Sequence, residues 1–140
     1  MHRVFVYGTL KRGYPNFDGN MDAARFVGDF RTCERYPLVV GGPWCSVYLL
    51  DEPGQGHQVR GEVFEVDDEA LKVLDRLEAT HLPDGYRRVE CGIEALDGAE
   101  ASRAWVYLRQ RRHVDGIHET LADFYPQEAR YIPPWKRPEA

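Results

Sequence analysis

Residues 59–79 read VRGEVFEVDDEALKVLDRLEA, and this stretch decides the fold. Residues 59–66 are rich in β-forming side chains and predict a strand. Asp67 and Asp68 follow, at the place where a short carboxylate caps the free N–H groups that open a helix. From Glu69 to Ala79 the apolar residues recur with helical spacing, so a helix is expected over residues 68–79. At about 100° per residue, Ala70, Leu71, Val73, Leu74 and Leu77 share one arc and are expected to be buried. Lys72 and Arg76 fall opposite, and Asp75 lies at the margin.

Glu78 falls inside the apolar arc, between Leu71 and Leu74. Two readings follow from that spacing. The side chain either turns inward or frays outward to solvent in the last turn. Turned inward, it must be paired, hydrogen-bonded or neutral. Desolvation and the negative end of the helix dipole would both raise its pKa, towards the range useful for proton transfer.

Outward from this unit, RVFVY at 3–7 predicts a buried strand that stops at Gly8. GYPNFDGN at 13–20 and DEPGQG at 51–56 are dense in turn residues. SVYLL at 46–50 and SRAWVYLR at 102–109 predict further strands. Residues 86–94 alternate, with Val89, Cys91 and Ile93 on one side and Arg88, Glu90 and Glu94 on the other. The tail from Tyr125 carries Pro126, Pro133, Pro134 and Pro138, and is expected to wrap the domain before a loose end. There is no repeat, low-complexity tract or linker. About five strands and one helix define an α+β chain, a single domain over residues 1–140 built on a small closed or half-closed β-barrel.

The chain has 140 residues, 43% of them hydrophobic and 29% charged, with a net charge of −5. That length buries a core without staples. The acidic balance argues against a nucleic-acid partner, and no run is long enough to span a bilayer. MHRVFVYGTLKRG at the start does not read as a signal peptide, so a cytoplasmic location is expected. Cys33, Cys45 and Cys91 are odd in number, widely spaced and expected as reduced thiols. His113, Asp115 and His118 match no metal-ligand spacing, and Ser46, Ser102 and the histidines form no nucleophile elbow. Arg109, Arg111 and Arg112 read as a solvated face.

Tyr7-Gly8-Thr9-Leu10-Lys11-Arg12-Gly13 is a strand running into a glycine-containing turn. Such a turn exposes backbone N–H groups to a carboxylate or phosphate, although it is neither a P-loop nor a dinucleotide fingerprint.

VFVYGTLKRGYPN at 4–16 closely resembles the opening of the γ-glutamylcyclotransferase-like superfamily, and especially its γ-glutamylamine cyclotransferase branch. The resemblance continues through YPLVV at 36–40, GEVFEVD at 61–67, VLDRLEA at 73–79 and GYRRV at 85–89, with RYIPP at 130–134 similar to the branch's ending. It implies a small mixed β-barrel with flanking helices. It implies that Tyr7, Gly8, Thr9 and Leu10 cradle a γ-glutamyl group, that Tyr86 joins them at the substrate, and that Glu78 is the catalytic acid–base residue. The activity implied is release of 5-oxoproline and a free amine from a small-molecule γ-glutamyl substrate, with no metal or organic cofactor. A non-catalytic carboxylate-binding or protein-interaction module of the same fold is the rival reading. GGPWCS at 41–46 and the longer tail with Trp135 depart from the family pattern. Pro43, Trp44, Cys45, Tyr131, Pro133 and Trp135 are therefore candidate walls for an apolar leaving amine. Arg87 and Arg88 are candidate cations for one that carries a carboxylate. Neither the leaving amine nor the oligomeric state is legible in these motifs.

Overall fold

The computed structural model describes residues 1–98 and 101–138. Five strands close a barrel: β1 (His2–Val6), β2 (Arg25–Tyr36), β5 (His57–Val66), β6 (Arg87–Ala95) and β7 (Ala101–Leu108). Their order around the barrel is β1-β5-β2-β6-β7, antiparallel except where β1 meets β7 in parallel at Val4 and Trp105. Three short strands, β3 (Leu38–Gly41), β4 (Ser46–Leu49) and β8 (Ile117–Leu121), form a second sheet in the order β4-β3-β8. One α-helix, α1 (Asp68–Leu77), and two single 3₁₀ turns, Arg111–His113 and Pro134–Lys136, complete the described elements. No described helix is long and apolar enough to cross a membrane.

β1 reads as a continuous apolar run because both of its faces are buried. Successive side chains point to opposite faces of a strand. Phe5 and Tyr7 enter the barrel core with Phe30, Val63, Ile93 and Val106. Val4 and Val6 face outward and pack with Phe64, Val66, Leu71, Leu74 and Tyr107 beneath α1. The helix therefore rests on the outside of β1, β5 and β7, which brings its C-terminal end to the barrel rim where β1 runs out.

α1 begins as the sequence predicts, with the Asp67 carboxylate accepting from the Ala70 N–H at 2.8 Å. It ends two residues short of the predicted limit: Leu77 is the last helical residue and Glu78 is the cap. Only Leu71 and Leu74 of the predicted apolar arc are buried. Val73 and Leu77 are exposed, at 39% and 38%. The buried stripe is narrower than the predicted arc, because a helix lying on a curved barrel wall presents a narrow stripe to it.

Three strands escape the sequence reading. β2 carries two irregularities in its pairing with β5, between Phe26 and Gly28 and between Arg31 and Arg35, and each resets the in–out alternation. β3 is short and buried throughout, and β8 is an almost wholly exposed strand in which Leu121 alone packs against the barrel core. The tail does wrap: Ile132 N–H donates to Trp44 O, and Gln127 Nε2 to Gly13 O. Its expected loose end, residues 139–140, lies outside the described residues.

Candidate active site

The end of α1 is shaped by its own backbone. Ala79 adopts a left-handed φ of 55°, and its N–H bonds to Arg76 O while the Thr80 N–H bonds to Asp75 O. This is a Schellman closure with alanine where glycine is usual. The chain then folds back, and Tyr86 N–H donates to Glu78 O at 3.1 Å. A Cβ on Gly85 would stand 1.9 Å from Ala79 O, so only glycine permits the return. Glu78 and Tyr86 are thereby locked side by side.

Across from them, β1 delivers the Tyr7–Leu10 turn. A Cβ on Gly8 would stand 2.4 Å from Val47 Cγ1, so glycine is needed for β1 to approach β4 this closely. The turn is pinned by Lys11 N–H to Gly8 O and Asn16 N–H to Thr9 O. The N–H groups of Gly8, Thr9 and Leu10 meet no protein acceptor among the described residues and are free to bind an anion.

Tyr7, Gly8, Thr9, Leu10, Glu78 and Tyr86, all singled out in the sequence, line one recess of about 340 Å³ together with Phe5, Val6, Val47 and Tyr107. A second, wider lobe of about 620 Å³ shares Thr9, Val47, Glu78 and Tyr86 with the first, so Glu78 stands where the two meet. Asn16, Trp44, Ser46, Tyr48, Leu77, Arg109, Tyr131, Pro134 and Arg137 form the rest of that lobe.

The electrostatics centre on Glu78. Part of the residue's surface is reached through the cavity, while its carboxyl group is enclosed by protein. Burial pushes its pKa up to about 7, and the Arg109 guanidinium holds it from rising further. No described side chain or main-chain donor bonds to the carboxylate, which leaves it open to a ligand. Tyr7 and Tyr86 are held neutral, chiefly by burial and also by the nearby Glu78 charge. Their hydroxyls are committed to the frame: Tyr7 donates to Tyr107 O at 2.7 Å and Tyr86 to Val47 O at 3.1 Å. The second carboxylate of the helix end, Asp75, accepts from Tyr107 Oη and Arg88 Nε, both at 2.8 Å, and so braces α1 against β6 and β7.

Several expectations need correction. Arg109 is not part of a solvated face. It lines the wide lobe, with its guanidinium 5.1 Å from the Tyr86 ring centre and 5.2 Å from that of Tyr48. Arg87 and Arg88 do not serve the cavity, because they pair with Asp51 and Asp75. Of the candidate walls, Trp44 and Tyr131 line the lobe, Pro134 takes the place expected for Pro133, and Trp135 is 65% exposed. Tyr107, Val47 and Arg109 were missed because nothing in a strand pattern shows which residues reach its rim. No group of three or more metal-ligating side chains is assembled among the described residues.

Fold and cavity together define a small mixed-barrel protein in which a backbone turn faces one enclosed carboxylate. The chain belongs to the family described as Gamma-glutamyl cyclotransferase, AIG2-like, whose profile matches residues 4–127, and with it to a family of cyclotransferase enzymes. It is 39% identical to Gamma-glutamylaminecyclotransferase B of Danio rerio over 132 residues, which covers 89% of this chain and 68% of that one. It is 42% identical to the Gamma-glutamylaminecyclotransferase of Homo sapiens over 123 residues, covering 78% and 79%. The fold matches the crystal structure of an AIG2-like protein from Mus musculus with a TM-score of 0.72 and 32% identity, covering 91% of this chain and 97% of that one.

Proposed function

We propose that this protein cleaves γ-glutamyl amines to 5-oxoproline and the free amine, with Glu78 as the acid–base group. The observation that carries the reading is the enclosed, unpartnered Glu78 carboxyl in one recess with the free N–H groups of the Gly8–Leu10 turn. The narrow recess takes the glutamyl half, and its N–H groups supply donors for the substrate's oxygens. The scissile amide then lies beside Glu78, and the leaving amine extends into the wide lobe.

In that pose the substrate's own α-amine reaches the γ-carbonyl carbon. The tethered nucleophile supplies a large proximity advantage. Glu78 as carboxylate takes a proton from the α-ammonium, and the free amine attacks to close a five-membered ring. The C–N bond to the leaving amine then breaks as Glu78 returns the proton to that nitrogen. The ring nitrogen gives up its second proton by the same route, so that the lactam forms neutral and the amine departs as the ammonium ion. No water is consumed, and no proton is gained or lost. A pKa of about 7 suits both transfers.

Trp44, Tyr131 and Pro134 offer the flat apolar walls that a methylene chain prefers, and the names of the relatives agree with amine leaving groups. The test is incubation with a panel of γ-glutamyl compounds, scored for 5-oxoproline. γ-Glutamyl-ε-lysine is expected to be cleaved at higher kcat/KM than γ-glutamyl-alanine or glutathione. A clear preference for γ-glutamyl-alanine would overturn the choice of leaving group, and no 5-oxoproline from any of them would favour the non-catalytic binding module.

A further inference from the structure

The wide lobe contains two cations, Arg109 and Arg137, and neither meets a carboxylate side chain among the described residues. Their surroundings differ. Arg109 is built into the wall. Its Nη2 donates to His113 O at 3.2 Å, its Nε is closed off from solvent without a partner, and its charge is felt by Glu78. Arg137 is carried by the tail. Its guanidinium lies over Trp44 at 5.4 Å and Tyr131 at 5.8 Å, its Nε donates to Ile132 O at 2.9 Å, and its Nη2 makes one long contact to Tyr131 Oη at 3.4 Å. Its Nη1 has no protein partner among the described residues. An arginine held within cation–π range of two aromatic rings, with an unspent edge at a cavity wall, is pre-organised to receive a carboxylate.

Position along the lobe decides which carboxylate. Glu78 marks the scissile bond, and Arg109 is the cation whose field reaches it. Arg109 lies over Tyr86, which lines both lobes beside Glu78, whereas Arg137 lies over Trp44 and Tyr131, which line the wide lobe alone, so Arg137 is the cation set farther from the reacting atoms. A carboxylate directly beside the scissile nitrogen would fall short of it. One at the end of a methylene chain, lying along the aromatic walls, would meet it.

Resting on the cyclotransferase reading above, we propose that Arg137 makes the wide lobe selective for leaving amines whose chain ends in a carboxylate. The tail is thus a specificity element, and bare alkyl amines are the weaker substrates.

Two substrates test this that differ only at the chain end: γ-glutamyl-ε-aminocaproate, ending in carboxylate, and γ-glutamyl-n-hexylamine, ending in methyl. The wild-type protein is expected to favour the first in kcat/KM by about tenfold or more, as for a hydrogen bond to a charged group. Arg137→Met should bring the ratio to about one, with the change mostly in KM, and Arg137→Lys should keep part of the preference. Because Arg137 also steadies the tail, a second measurement is made on the unaltered protein. Raising the salt to about 0.5 M should shrink the wild-type ratio, since a partly exposed ion pair is screened. Equal cleavage of the two substrates by wild type would overturn the inference and leave the cyclotransferase standing. So would a variant that loses both substrates by the same factor, which is the mark of a merely structural arginine. If wild type releases 5-oxoproline from neither, the inference and the proposed function fall together.

Discussion

Replacing Glu78 by Gln tests the centre of the mechanism twice, because the same burial that tunes the carboxyl also costs stability. The folded protein holds the Glu78 pKa at about 7, against 4.5 for an ordinary glutamate. Between those two values the unfolded chain has released the proton and the folded one retains it. The native state therefore binds more protons there, and stability falls as pH rises through that window. The full shift corresponds to a ceiling of about 3 kcal/mol. Water reaches the residue through the cavity, which reduces the expected cost to about 1–2 kcal/mol. Gln keeps the shape and never ionises. Glu78→Gln should thus melt about 3–8 °C above wild type at pH 8, with the gap closing as pH falls towards about 4.5. The activity of the wild-type protein should rise with pH through about 7, since only the carboxylate can accept the α-ammonium proton. The variant should lose at least about 10²-fold in turnover at every pH. Thermal melts across pH, run beside 5-oxoproline release, read both effects. A stability gap that does not change with pH would refute the burial argument. Retention of more than about a tenth of the activity would refute Glu78 as the acid–base group.

Gly8→Ala forces a methyl against Val47 Cγ1, a contact of 2.4 Å that must open, so the variant should lose about 1–3 kcal/mol and at least tenfold in kcat/KM. Wild-type kinetics from a folded Gly8→Ala protein would show that the turn is not the cradle. Lys11 is 2% exposed, boxed by Phe124 at 3.8 Å and Tyr14 at 4.3 Å, and donates to Tyr125 O at 2.7 Å. Lys11→Met should free the tail it anchors, seen as faster amide exchange at residues 124–132 and a raised KM. Exchange as slow as in wild type would mean that the cage does not hold the tail. Replacing Cys33, Cys45 and Cys91 together by Ser should lower the melting temperature, since Cys91 is buried and accepts from Tyr36 Oη, yet leave 5-oxoproline release in the folded fraction. Full inactivation of wild type by a thiol reagent without unfolding would contradict it.

What the sequence makes legible here is local. The Asp67 cap, the Leu71–Leu74 stripe and the both-faces-buried run of β1 are each decided within a few residues, and each appears as expected. The spacing of Glu78 leaves its direction open, inward or frayed outward, because the residue stands at the cap, where the backbone closure at Ala79 and the return to Tyr86 set it and not the helix. β2 was not legible, since its two pairing irregularities scramble the alternation that a strand reading depends on. Arg109 was not legible either. It follows β7, and whether such a residue meets solvent or a cavity depends on its neighbours across the barrel rim. Its isolated bridge to Leu50 and its rings, Tyr48 and Tyr86, come from two distant stretches of chain. Arg88 shows the converse error. Its strand position was read correctly, but the Asp75 that claims it lies on another element.

The two lobes are made of unequally secured material, and that bears on how the enzyme chooses its leaving group. The narrow recess is formed by the end of β1, the cap of α1, and Val47 and Tyr107, all tied into cores whose residues are almost wholly buried. Opening it requires most of the barrel to open. The outer wall of the wide lobe is the stretch 130–137, which beyond the Lys11 anchor on Tyr125 holds to the domain by a few bonds: Arg130 Nη2 to Glu119, Ile132 N–H to Trp44 O and Asn16 Nδ2 to Tyr131 Oη. Segments attached in this way open locally, at a free energy well below that of global unfolding. The tail can therefore swing clear for a bulky leaving amine while the acid–base geometry at Glu78 stays fixed. Arg137 rides on that tail, so a carboxylate that engages it also draws the wall shut. Substrates with a carboxylate at the chain end should then slow amide exchange at residues 130–137, and alkyl amines of the same length should not. Equal protection by both would separate selectivity from closure.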